Sequence, residues 1–195
     1  GANIDFSDTL AGGGQDLTIA AGTGAGATTF TGDVSNLGDG TGAALTVANG
    51  VTGLVRFRGT VGANSGLVSN DSGGSTRFDQ NVTLANGDTG STFAGTVTFD
   101  GLNWSGFDGL TVTGAATMSG GPLSLDSNGG NILFSSTLAG GSQDLTIAAG
   151  TGAGTTTFTG NVSALGDGTG AALTVANGVT GLVRFQGTVG ADRKS

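Results

Sequence analysis

The 195-residue sequence has no Cys, His, Tyr or Glu, and only one Pro and one Lys. Each absence excludes something. Without Cys there is no disulfide framework and no Cys-ligated metal site. Without His the usual general base of a nucleophilic triad is missing. The single Lys, Lys194, leaves no Gly-x-x-x-x-Gly-Lys phosphate loop. The scarcity of Glu and Lys beside 42 Gly argues against a helical protein. A single Pro and no strict Gly at every third residue exclude collagen. No apolar run reaches the ~18 residues that a membrane-spanning helix needs.

What is present points to strands and turns. Thr accounts for 30 residues, hydrophobic residues for 36% and charged residues for only 10%. That is too apolar and too weakly charged for Gly-rich disorder. Thr favours pleated strands, and Gly, Asn and Asp favour tight turns. The net charge of −8 comes from dispersed Asp and repels nucleic acid and anionic membrane surfaces. The length fits one domain spanning 1–195.

Residues 3–63 recur at 131–191, an offset of 128, with 54 of 61 positions identical. The differences are Asp5/Leu133, Asp8/Ser136, Gly14/Ser142, Ala27/Thr155, Asp33/Asn161, Asn36/Ala164 and Arg58/Gln186. A divergent middle, 64–130, separates the copies. Such near-identity implies recent duplication and suggests a window on a longer tandem array. The chain opens on Gly1 and not Met, which also suggests an excerpted or processed piece.

A finer period lies inside the long one. A Phe-x-small-x-Val/Leu motif starts at Phe6, Phe30, Phe57, Phe78, Phe93, Phe134, Phe158 and Phe185, with Val112 filling one gap. The steps are 24, 27, 21, 15, 19, 22, 24 and 27. A Leu-polar-apolar motif, as in Leu17-Thr18-Ile19 and Leu45-Thr46-Val47, precedes each Phe motif by 10–13 residues. Two alternating strands at a fixed offset, repeated with Gly/Asn/Asp turns, specify a parallel β-solenoid of about eight coils of roughly 22 residues.

Alternation predicts Val55 and Phe57 inside, with Arg56 and Arg58 outside. Stacked coils should give one Phe ladder and one aliphatic ladder, with the Gly two residues after each Phe allowing close approach. Positions 5, 27, 33 and 58 read as outward, 14 and 36 as turns, and 8 as an inward small slot. Drift between the copies therefore falls mostly on the surface.

Leu-Thr-Ile/Val-Ala strands, Asn-Gly and Gly-Asp-Gly turns, a Thr/Asn-rich exterior and the lack of Cys resemble the repetitive β-helix of filamentous-haemagglutinin-like and autotransporter-passenger proteins. The resemblance implies a right-handed helix in a secreted bacterial surface adhesin or fibre, located extracellularly.

The search for chemistry yields no catalytic, cofactor-binding or metal-binding residues to commit to. Asp5, Asp8 and Asp33 could cluster as acid/base carboxylates, but the second copy has Leu133, Ser136 and Asn161 there. Gly38-Asp39-Gly40-Thr41-Gly42 lacks dinucleotide-loop spacing and reads as a structural turn. Gly12-Gly13-Gly14-Gln15-Asp16 partly matches a calcium β-roll, but Leu17 and Ile19 fall in the wrong phase. Calcium at Asp-containing turns is thus the weaker alternative to no cofactor.

Thr pairs, such as Thr29-Phe30-Thr31, Thr96-Val97-Thr98, Thr111-Val112-Thr113 and Thr157-Phe158-Thr159, would form an ice-binding file were they not interrupted by Arg56, Arg58 and Arg77. Phe99, Trp104 and Phe107 offer either a widened core or a sugar platform.

The sequence thus predicts a non-enzymatic rod: stalk, adhesin shaft or self-assembling filament. Its partners would be copies of itself stacked head to tail or further repeats of the same chain. Surface glycans are a further candidate partner, and nucleic acid and a membrane span are not expected. The alternative is a carbohydrate- or ice-binding adhesin module using the outward Thr or the Trp104 region.

Overall fold

A computed structural model describes residues 2–20, 24, 26–85, 89–106, 109–148 and 154–191. Among them are twenty-five short strands and no helix. All strand pairs are parallel, and the chain visits three sheets in strict rotation. The first sheet holds β1 Ile4–Phe6, β4 Thr28–Phe30, β7 Leu54–Phe57, β10 Ser75–Phe78, β13 Thr96–Asp100, β16 Ala116–Ser119, β19 Leu138–Gln143, β22 Val162–Leu165 and β25 Val189–Ala191. The second holds β2 Leu10–Gln15, β5 Val34–Leu37, β8 Val61–Ala63, β11 Val82–Leu84, β14 Asn103–Ser105, β17 Leu123–Asp126, β20 Leu145–Ile147 and β23 Leu173–Val175. The third holds β3 Leu17–Ile19, β6 Leu45–Val47, β9 Leu67–Ser69, β12 Ser91–Phe93, β15 Leu110–Val112, β18 Ile132–Phe134, β21 Thr156–Phe158 and β24 Val183–Phe185. The fold is a three-sided β-solenoid of eight full coils plus one strand.

Each coil has three strands, where the motifs suggested two. The Val or Leu that closes most of the Phe motifs begins the missing strand. Phe30 ends β4, Gly32 turns the corner, and Val34 opens β5. The corner Gly is required by close stacking: a Cβ on Gly59 would lie 2.6 Å from the carbonyl carbon of Gly32 one coil below. The 15-residue step from Phe78 to Phe93 spans two strands, not a coil, and carries the motif from the first sheet to the third.

The expected single Phe ladder is therefore two ladders. On the first sheet Phe6, Phe30, Phe57 and Phe78 stack at 4.6, 4.8 and 5.1 Å with near-parallel rings. On the third sheet Phe134, Phe158 and Phe185 stack at 5.1 and 4.9 Å. Between the ladders Trp104 meets Phe78, Phe93 and Phe99 edge to face at 5.4, 5.9 and 6.1 Å. Stacking of this kind adds to the stability that apolar burial gives the core.

All fourteen residues at the seven positions that differ between the copies are exposed or half-buried, as parity required of positions 5, 27, 33 and 58. Two details differ from expectation. Positions 14 and 36 are not turns but bulges inside β2 and β5, with φ of 76° at Gly14 and 52° at Asn36. Their copies Ser142 and Ala164 keep the left-handed geometry, with φ of 60° and 51°. Asp8, expected in an inward slot, sits exposed at a corner, where its carboxylate accepts a hydrogen bond from the Thr9 N–H at 2.8 Å.

Candidate functional site

Pleating puts one side chain per short strand outside, and parallel register aligns these into files. The files on two of the sheets differ in chemistry. On the first sheet the register aligns Asp5, Thr29, Arg56, Arg77 and Thr98. Arg56 lies directly beside Arg77, a like-charge pairing that needs compensation. Asp79 supplies it. Its carboxylate accepts from Arg56 Nε at 2.8 Å and from Arg77 Nε at 2.6 Å. A second Arg77 nitrogen bonds Asp100. Burial pushes the Asp79 carboxyl up, but the hydrogen bonds from Arg77 and Arg56 outweigh it and hold the group below the usual carboxylate range. Arg77 is held above its ordinary value, chiefly by its bond to Asp79.

The third sheet aligns Thr18, Thr46, Val68, Thr92, Thr111, Leu133, Thr157 and Arg184. No charge appears before Arg184. The Thr pairs seen in the sequence are thus split: Thr29-Phe30-Thr31 and Thr96-Val97-Thr98 lie on the first sheet, and Thr111-Val112-Thr113 and Thr157-Phe158-Thr159 on the third. Arg56 and Arg77 do interrupt the Thr file of the first sheet, between Thr29 and Thr98, and are absent from that of the third.

Trp104 is only 2% exposed, so its ring is core and presents no platform to a sugar. Phe107 lies outside the described residues. Asp5, Asp8 and Asp33 are exposed around the first sheet and its corner. Asp33 accepts from the Thr60 N–H at 2.8 Å, so its carboxylate caps the next coil. Its copy Asn161 accepts from the Thr188 N–H at 3.0 Å. Gly12, Gly13 and Gly14 lie in the β2 bulge, and among the described residues no three acidic side chains converge. Gly38–Gly42 is a turn held by Asp39, which accepts from the Thr41 N–H and hydroxyl at 2.8 and 2.6 Å. Those bonds, the hydroxyl's first, lower the Asp39 pKa.

Two of the carboxylates with structural roles that were not singled out from the sequence join one coil to the next. One is Asp79. The other is Asp71, buried at a corner, where it accepts from the N–H groups of Gly50 and Gly73 at 2.5 and 2.6 Å. Each has one local partner, Arg77 or Gly73, and one in the coil below, Arg56 or Gly50, and composition offered no signal for the second.

Fold and faces together define a repetitive parallel β-solenoid, with Arg56 and Arg77 on one face and a Thr-rich file, uncharged from Thr18 to Thr157, on another. No family model matches the sequence, and no curated protein or solved structure shows significant similarity to it.

Proposed function

We propose that the chain is a non-enzymatic, load-bearing rod segment of a secreted bacterial surface or extracellular fibre, of the filamentous-haemagglutinin-like kind its strand and turn pattern resembles. One observation carries this reading: three parallel sheets run unbroken through the described strands, so axial force is met by backbone hydrogen bonds in every coil. A core of stacked aromatic and aliphatic side chains leaves little for water or proteases to enter. The test is to image native material labelled with antibody to this chain. Label along fibres of uniform width is expected; label only on globular particles would sink the reading.

A second reading is favoured by the Thr-rich file on the third sheet, which carries no charge from Thr18 to Thr157. A flat run of Thr hydroxyls and methyls suits a repetitive surface such as a glycan or ice, and it would make the rod an adhesive module. Replacing Thr92 and Thr111 with Lys should then abolish adsorption to ice or polysaccharide with the circular dichroism unchanged. Undiminished adsorption removes this reading.

A further inference from the structure

We propose that Asn128 is a site of spontaneous covalent modification. The backbone nitrogen of Gly129 displaces its side-chain amide, and water then opens the resulting succinimide to aspartate or isoaspartate. The same chemistry at Asn49 is held back by Asp71 from the next coil.

Asn followed by Gly is open to this reaction because Gly has no Cβ to obstruct the approach of its own nitrogen to the side chain before it. The pair occurs at 49–50, 86–87, 128–129 and 177–178. The second lies outside the described residues, and the fourth repeats the first within the duplication. Asn49 and Asn128 are both exposed, so exposure does not separate them. The partner of the Gly N–H does.

The reaction needs only water. The Gly129 nitrogen gives its proton to water or hydroxide and forms a bond to Asn128 Cγ. The bond from Cγ to Nδ2 breaks, and the amide nitrogen takes up a proton and leaves as ammonia. One water then adds to either ring carbonyl. Addition at Cγ gives aspartate. Addition at the backbone carbonyl gives isoaspartate, whose chain runs through the side-chain methylene.

The Gly nitrogen must lose its proton, and the turn must open enough for it to reach Cγ. At Asn128 little opposes either. Residues 127–130 form a type I′ turn, with φ of 44° at Asn128 and 96° at Gly129, closed by the Gly130 N–H on the Ser127 carbonyl at 2.9 Å. The Asn128 N–H is donated to Asp126 Oδ1 at 2.8 Å. Among the described residues the Gly129 N–H has no acceptor and the Asn128 side chain no hydrogen-bond partner. The product adds a negative charge two residues from Asp126, and isoaspartate lengthens the corner between β17 and β18 by one backbone carbon.

At Asn49 both steps are opposed. The Gly50 N–H is donated to Asp71 Oδ2 at 2.5 Å, while Oδ1 of the same carboxylate accepts from the Gly73 N–H at 2.6 Å. Asp71 is only 6% exposed. Removing the Gly50 proton would set an anionic nitrogen against a buried carboxylate. Swinging Gly50 toward the Asn49 side chain would strip that carboxylate of a partner. Bonds to a charged group are the strong ones, and a buried charge left short of a partner is costly. The shield should slow Asn49 by about tenfold to a hundredfold.

The test ages the full chain in mildly alkaline water enriched in heavy oxygen, both native and in denaturant, and reads the label by peptide mass mapping. Each opened ring takes up one label. In denaturant Asn49 and Asn128 should react at the same rate, since both precede Gly. In the native chain label should build at 128 and lag at 49 by about tenfold or more. Asp71→Asn, with the circular dichroism of the parent, should bring Asn49 up toward the rate of Asn128 and leave Asn128 unchanged. If that variant does not fold, the native-to-denatured ratios of the unaltered chain decide alone. Native label at 49 level with that at 128 overturns the shield. Label at 49 running ahead overturns it too, and makes Asp71 the base that takes the Gly50 proton. Native Asn128 as slow as Asn49, with both far below their denatured rates, overturns Asn128 as the site.

Discussion

The two copies of the repeat have nearly the same sequence yet occupy different faces. β1 to β8 begin on the first sheet, whereas their copies β18 to β25 begin on the third. The cause is counting: the repeat contributes eight strands, which three does not divide, and the middle contributes nine, which it does. Phe30 and Phe158 are equally buried on sheets that differ. A strand segment in this molecule therefore encodes its place relative to the coils above and below, not a side of the prism. In such a quasi-one-dimensional array, stability is close to a sum of coil terms and nearest-neighbour terms. The copies should accordingly differ in energy only where their neighbours differ.

The sharpest way to break the comparison is to remove one Phe from each copy. Phe57 is sandwiched between Phe30 and Phe78 at 4.8 and 5.1 Å. Its copy Phe185 stacks on Phe158 at 4.9 Å and is only partly buried. Phe57→Ala should cost about 3–5 kcal/mol through lost burial and a trapped cavity. Phe185→Ala in this chain should cost less than half of that, because a partly buried ring gives up less contact and leaves no enclosed cavity. Denaturant unfolding of the two variants checks this, and equal losses would mean that position in the stack does not govern the energy.

The contrast between copies also shows why part of the fold was legible and part was not. The solenoid class, the coil length and the inward parity of Val55 and Phe57 follow from periodicity, which is a property of local sequence. The third strand was hidden because β2, β5 and β8 have weak alternation. β2 reads Leu-Ala-Gly-Gly-Gly-Gln and bulges at Gly14, so the period of two fails there. The change of face at Phe78–Phe93 was visible as a short step, but its meaning required three strands per coil. The candidate surfaces were less legible still. Asp33 looked like surface drift to Asn161, yet both serve as oxygen acceptors for the next coil's N–H. Thr files depend on which sheet each pair joins, and that follows from strand count. Trp104 could be read either as widened core, which it is, or as a sugar platform, because its partners Phe78, Phe93 and Phe99 come from three separate strands.

A smaller effect sharpens the comparison at the roof of each copy. Arg56 in the first copy lies beneath Arg77 and is neutralised by Asp79 from the coil above. Its counterpart Arg184 lies in β24, which pairs on one side only among the described residues. Asp79 has its pKa lowered in the folded state, so near that range the native chain holds fewer protons than the unfolded one. The stability it contributes is present above about pH 4, the ordinary carboxylate value. It is lost as pH falls through the depressed folded value. The Arg partners are about a third exposed, so solvent screening keeps the contribution near ~1 kcal/mol. Asp79→Asn should remove that increment at neutral pH and leave the Arg56–Arg77 pair repelling. It should also flatten the pH dependence between neutrality and acid relative to the parent. Amide exchange in β7 and β10 at pH 7 and below pH 4 measures this locally, and β24 serves as the internal control: its protection should not respond to the substitution. A response in β24 equal to that in β7 would mean that the charge acts through the whole rod, not through the coil it covers.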